Sequence, residues 1–162
     1  MATERSPRKG SNLPRSRQSA HGRPADAAQV VILVIDDDTE VLDSVRRLLI
    51  REGWMVLTAS NPLEGLELFE AYWREIQVVV LDFFMPILSG DKVFGRLQRI
   101  HPRVRVLLTT ACENDIPQEM FQNGLRGFVQ KPLSPRDLID QIRQSLNHDR
   151  SPGAGGQKSR PR

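Results

Sequence analysis

The feature that most constrains this chain is a series of short apolar runs, each closing on a polar residue. Val30–Ile35 reads VVILVI and runs into Asp36, Asp37 and Asp38. Val78–Leu81 reads VVVL and ends at Asp82. Val104–Thr109 leads to Thr110, and Gly127–Gln130 leads to Lys131 and Pro132. A β-branched run without alternation suits a strand buried on both faces. Trp54–Thr58 reads as one further short strand.

Helical patterns fill the gaps. Val41, Leu42, Val45, Leu48 and Leu49 recur on one helical face, and Gly53 ends that helix. Asn61 is placed to cap a second helix, with Pro62 at its first position and Glu64 at its third. Leu63, Leu66 and Phe69 or Glu70 then fall on successive turns. Ser89 is expected to cap a third helix ending near Ile100. A short fourth helix lies within about 115–122, and Pro117 requires it to be short and to start late. Ser134, Pro135 and Asp137 open a fifth, whose inner face is Leu138, Ile139, Ile142 and Leu146.

Strand and helix alternate five times, which predicts an α/β fold: a doubly wound five-stranded parallel sheet with helices on both faces. In such sheets the functional site lies outside the carboxyl ends of the strands. Asp36, Asp37, Asp82, Thr109, Thr110 and Lys131 are the residues predicted to meet there.

Charge divides the chain into three. Residues 1–29 carry six Lys/Arg against two Asp/Glu, and 148–162 carry four against one, while 30–147 carries 13 against 17. Both ends are poor in large aliphatic side chains and are expected to be disordered basic tails around one folded unit. Neither has the dense basic run or interleaved aromatics of a nucleic-acid site, so contact with nucleic acid is not expected. No stretch of 18 apolar residues exists to span a membrane. The single cysteine, Cys112, excludes an internal disulfide framework and a cysteine zinc site, and fits a reducing, cytoplasmic setting. Its simplest role is that of a small half-buried hydrophobe. His21, His101 and His148 are expected at the surface, and Trp54 and Trp73 in packing.

Carboxylates crowded at one sheet edge raise one another's pKa unless neutralised. A hard divalent cation does this with oxygen ligands, and no histidine or cysteine is placed to favour zinc. A carboxylate can also act as a nucleophile toward phosphorus. Lys131 offers a mobile cation to phosphate oxygens and Thr110 a hydroxyl. Asp38 is expected to cap the first helix.

The stretches ILVIDDD, LDFFMPILSG, LLTTA and GFVQKP together resemble the receiver domain of two-component response regulators. The likeness covers about 30–147. Asp82 is followed by Met85, Pro86 and Gly90, Thr110 lies 28 residues further on, and Lys131 follows 21 after that. The resemblance implies the flavodoxin-like strand order 2-1-3-4-5. It implies Asp82 as phosphoacceptor, Asp37 as direct Mg²⁺ ligand with Asp36 acting through water, and the Phe84 backbone carbonyl completing the metal shell, Mn²⁺ being a substitute. It further implies Thr110 as switch hydroxyl, Phe128 as switch aromatic, Lys131 as phosphate-binding lysine and a cis Lys131–Pro132 bond. The implied donor is a histidine kinase or histidine phosphotransfer protein. The implied output runs through the face of the fourth helix, fifth strand and fifth helix, to an unidentified partner or a homodimer.

Too few residues follow the last helix for a helix-turn-helix unit, and no nucleotide-binding glycine motif is present. The expectation is therefore a signalling phosphoacceptor and not an enzyme acting on other substrates. Two rivals remain at this point. One is a receiver-like binding module that takes no phosphate. The other is a phosphatase with an aspartyl nucleophile, against which Phe84 stands where such enzymes carry a second acid. Departures from the family pattern are the bulky Phe121 and Leu125 near the fourth helix, and the apolar Phe84 and Cys112 at the rim, which predict a slowly hydrolysed acyl phosphate.

Overall fold

The computed structural model describes residues 29–147. The tail expectations for 1–29 and 148–162 lie outside the described residues, Gln29 excepted. Five parallel strands are present: β1 (Val31–Ile35), β2 (Met55–Ala59), β3 (Ile76–Asp82), β4 (Val106–Thr110) and β5 (Gly127–Gln130). They lie in the order β2-β1-β3-β4-β5, as the resemblance implied. Between them run α1 (Thr39–Arg51), α2 (Pro62–Tyr72), α3 (Gly90–Ile100) and α4 (Gln118–Gln122), and α5 (Pro135–Asn147) closes the fold.

Strand alternation sorts the core into two layers. Ile32, Val34, Val78, Val80, Leu107 and Val129 pack with Leu42, Val45 and Leu49 of α1 and Leu138 and Ile142 of α5. Leu33, Ile35, Val79, Leu81, Val106 and Leu108 pack with Phe69 of α2, Phe94 and Leu97 of α3, and Met120 of α4. Both strand faces are thus covered, which is why the runs lack alternation.

The helix starts follow from their caps. The Asp38 carboxylate accepts from the amides of Glu40 at 2.9 Å and Val41 at 3.2 Å. Asn61 accepts from Leu63 and Glu64, while Glu64 reaches back to the Ser60 amide at 2.8 Å. Gly53, at φ 81°, takes α1 into β2 in a left-handed conformation.

Several expectations are corrected. β1, β2 and β4 start one or two residues later than read, although the Val30 and Arg105 carbonyls still accept from the Met55 and Val79 amides at 2.8 Å, and β3 is longer than read, spanning Ile76–Asp82. The Ser89 hydroxyl makes no cap bond to α3 and donates to Asp91 instead. The fourth helix is only Gln118–Gln122, preceded by one 3₁₀ turn at Glu113–Asp115. Pro117 flanks it, as the proline required. Leu63 and Glu70 are exposed, because α2 seats itself through Pro62, Gly65 and Phe69. Ile139 and Leu146 are only half-buried. His101 is half-buried and stacks on Trp73, with ring centroids 5.1 Å apart, while Arg74 covers the same indole at 4.5 Å.

Two backbone positions give predictions. A Cβ on Gly65 would lie 2.5 Å from Cδ1 and 2.9 Å from Cγ1 of the fully buried Ile35. Gly65→Ala should therefore destabilise by about 1–3 kcal/mol despite alanine's higher helix propensity, with Ile35→Val recovering part of the loss in urea unfolding. Ile87 has φ 74° and is 76% exposed, and the Leu88 amide donates to the Pro86 carbonyl at 2.9 Å across it. That is a strained γ-turn around a β-branched residue with little packing to lose. Ile87→Gly should stabilise by about 1 kcal/mol in the same assay.

Candidate active site

Alternation also decides which side chains meet at the sheet's carboxyl edge. Asp36 follows Ile32 and Val34, Asp82 follows Val78 and Val80, and Lys131 follows Val129, all on the α1/α5 side. These three meet. The Lys131 ammonium lies 2.9 Å from Asp36 Oδ2 and 3.1 Å from Asp82 Oδ1. Asp36 is 2% and Asp82 4% exposed. Asp37 is exposed at the mouth, yet oxygens of Asp36, Asp37 and Asp82 all lie within 4.8 Å of one another. Asp38 faces away into its cap, as expected, and its own amide donates to Asp36 Oδ1 at 2.9 Å.

Burial is the largest influence on Asp82, and the charge of Asp36 adds to it. Together they outweigh Lys131 and raise the Asp82 pKa from 3.8 to about 6. Burial alone would lower the pKa of Lys131. Its hydrogen bond and attraction to Asp36, and then those to Asp82, reverse this and hold it above the ordinary lysine value. Three carboxylates thus face one ammonium, and the donors are all oxygen. That set suits a hard divalent cation.

Thr110 and Phe128 belong to the opposite face. Thr110 continues Val106 and Leu108 on β4, and Phe128 pairs with Leu108 across the ladder. Thr110 is fully buried, and its hydroxyl donates to the Cys112 carbonyl at 3.1 Å and accepts from the Cys112 amide at 3.3 Å. Cys112 is half-buried beside it. Phe128 is half-buried, with the Phe121 ring edge-on at 6.4 Å between centroids. The structure therefore brings Asp36, Asp37, Asp82 and Lys131 together and leaves the Thr110 hydroxyl bonded to its own loop. Thr109 is buried on the Asp82 side, and its carbonyl accepts from the Phe83 amide at 2.9 Å. Phe84 is 55% exposed, its ring edge-on to Phe83. The Lys131–Pro132 bond is cis.

Two features went unread in the sequence. One is that Lys131 spans both buried carboxylates. The other is the reason for Gly90: a Cβ there would lie 2.9 Å from the Asp82 carbonyl oxygen and 2.8 Å from the Phe83 Cα. Only glycine lets α3 begin against the end of β3, with its amide donating to the Phe83 carbonyl at 2.9 Å. The signal was present in the spacing from Asp82 to Gly90.

Comparison with known proteins agrees with this arrangement. A family profile described as the response regulator receiver domain matches residues 32–143. An uncharacterized 14.6 kDa protein of Leptolyngbya boryana is 34% identical over 122 residues, covering 72% of this chain and 90% of that one. The transcriptional regulatory protein CpxR homolog of Haemophilus influenzae is 34% identical over 123 residues, 75% of this chain, which spans only about half (52%) of that longer regulator. The crystal structure of a response regulator receiver domain protein from Clostridium thermocellum superposes with a TM-score of 0.70 at 32% identity, covering 75% of this chain and 97% of that one. On its sequence motifs, sheet order and matched span, the chain belongs to the receiver-domain family of two-component response regulators.

Proposed function

We propose that this receiver accepts a phosphoryl group on Asp82 from a histidine-bearing donor protein. The observation that carries the reading is the buried Asp36–Lys131–Asp82 cluster with Asp37 at its mouth. Asp36 and Asp37, with Asp82 and the Phe84 carbonyl, would hold Mg²⁺. A bound Mg²⁺ supplies charge neutralisation at the oxygens of a transferring phosphoryl group.

The chain's own residues do the rest. Asp82, ionised above about pH 6 and fixed at the end of a rigid strand, presents one oxygen to phosphorus. The new O–P bond forms as the P–N bond of phosphohistidine breaks, and the imidazole departs with a proton on its other ring nitrogen. Lys131, already within 3.1 Å of Asp82, turns its ammonium to the incoming oxygens. Thr110 exchanges the Cys112 carbonyl for a phosphoryl oxygen, and Phe128 follows on the same face of the sheet. The acyl phosphate carries about −1.5 to −2 at pH 7 where the Asp82 carboxylate carried −1, a change that can bias a two-state element.

A groove of about 580 Å³ beside Lys131 supports a protein donor. Val41, Val45, Leu48, Leu133 and Leu138 give it an apolar floor between α1 and α5, of a kind that takes one helix. The α4–β5–α5 face is the proposed output surface, for an unidentified partner or a second copy.

Three measurements test this. Acetyl phosphate with Mg²⁺ should add one phosphoryl group by intact mass, absent in Asp82→Asn and reduced at least about 10-fold in rate in Lys131→Ala. A wild type that takes no label from acetyl phosphate or from any histidine donor returns the chain to a phosphate-independent binding module. The acyl phosphate should persist for minutes or longer behind the apolar Phe84 rim, and a lifetime of seconds would contradict that. The third measurement concerns pH. The folded Asp82 pKa lies above its unfolded value, so the native state holds the extra proton and stability falls as pH rises from about 4 to 6. In EDTA at pH 7.5, Asp82→Asn should be more stable than wild type by about 1–2 kcal/mol, with the gain vanishing below about pH 4. Mg²⁺ should narrow that difference.

A further inference from the structure

The α4 region is where this chain departs from its family's usual small residues, and the structure shows what the bulk does. α4 has five residues, of which Met120 is buried. Ile116 and Leu125 anchor the segments before and after it. Phe121 is 42% exposed, and its ring meets Phe128 edge-on at 80°. Phe128 and Thr110 stand on the same sheet face of adjacent strands, since Leu108 pairs with Phe128 and Thr110 with Gln130. The Thr110 hydroxyl is at the same time held by the Cys112 backbone. The resting arrangement is thus closed at two points on one face: a hydroxyl on its own loop and a ring against a ring.

We propose that Phe121 is the positioning residue of the switch: its ring holds Phe128 in the resting rotamer and carries the movement of Phe128 into α4. The proposal rests on the phosphoacceptor reading of Asp82 and on Phe128 as the moving aromatic. Edge-to-face pairs of this geometry contribute beyond simple burial. A helix with one buried side chain has little else to hold it, so the pair ties the position of α4 to one aromatic rotamer. When Thr110 leaves Cys112, Phe128 gains room to turn, and it cannot turn without giving up Phe121. A bulky residue at 121 therefore makes the resting state more populated and the output more strictly coupled to phosphorylation.

The test uses the full chain with acetyl phosphate and Mg²⁺. Phe121→Ala should raise the initial labelling rate about 2- to 10-fold, the factor that corresponds to one lost aromatic pair. Phe121→Leu, which keeps apolar bulk, should fall between. In a Phe128→Ala background the Phe121→Ala change should have no effect, which a merely structural role for Phe121 would not produce. Phosphorylation should alter amide exchange of Gln118–Gln122 in the wild type and not in Phe121→Ala. A wild-type rate in Phe121→Ala, or the same acceleration with and without Phe128, overturns the proposal. If the wild type takes no label, the reading of Asp82 fails separately. The Phe128 rotamer, measured by side-chain couplings in NMR, then decides the latch: a redistribution in Phe121→Ala supports it and an unchanged population overturns it.

Discussion

The site depends on one ion pair made across the sheet. Asp36 and Asp82 end neighbouring strands, both almost fully buried, and their charges cannot coexist there without a cation. Lys131 provides it from a position 95 residues beyond Asp36. β5 is two strands from β3, about 10 Å at the usual strand spacing, so only a long side chain closes the gap. The Lys131 amide donates to the Thr110 carbonyl at 2.7 Å, which keeps the lysine backbone beside β4 and aims the side chain along the edge. The strand order that buries the apolar runs is therefore also what lets the last strand neutralise the first.

Compensation of the buried charge is incomplete. One ammonium faces three carboxylates, and Asp82 remains harder to ionise than a solvated aspartate. Such a pair is weak evidence of stability, because desolvation of the charges offsets their attraction. What the cluster offers instead is a place short of positive charge, with the Asp82 carboxylate fixed at the end of a strand. Gly90 protects that fixation by letting α3 start directly against the Asp82–Phe83 backbone.

Much of this was legible because burial leaves a plain trace. The runs at Val30–Ile35 and Val78–Leu81 carry no alternation since both faces are covered, and Asp38 and Asn61 announce their helices by local hydrogen bonding alone. What escaped depends on contacts distant in sequence. Leu63 fits a helical stripe, yet α2 rolls so that Gly65 can sit on Ile35, which leaves Leu63 exposed. Ser89 is a local exception: it has cap chemistry, but its hydroxyl is turned to donate to Asp91 two residues on and its oxygen meets no helix amide. His101 looks like a loop residue until α2 places Trp73 beneath it. That Asp36 and Asp82 lie together, with Asp37 beside them, could be read from the strand ends. Their sharing of a single lysine could not, because period-two patterning assigns a face and not a reach.

The tip of β4 joins the two halves of the site. Consecutive residues there face opposite ways: Thr109 lies on the side of Asp82 and Lys131, and Thr110 on the side of Phe128 and α4. Their carbonyls are tied to both flanking loops, Thr109 to the Phe83 amide and Thr110 to the Lys131 amide. A displacement of Thr110 therefore pulls on the backbone that positions Lys131, and a shift of the Asp82 loop pulls on Thr109. The sheet separates charge chemistry on its α1/α5 face from aromatic packing on its α4 face, and one dipeptide spans both. Asp82 pairs with Thr109 and Phe128 with Leu108, so the charged cluster and the aromatic pair sit against opposite faces of the same stretch of β4, with no long chain of contacts between them.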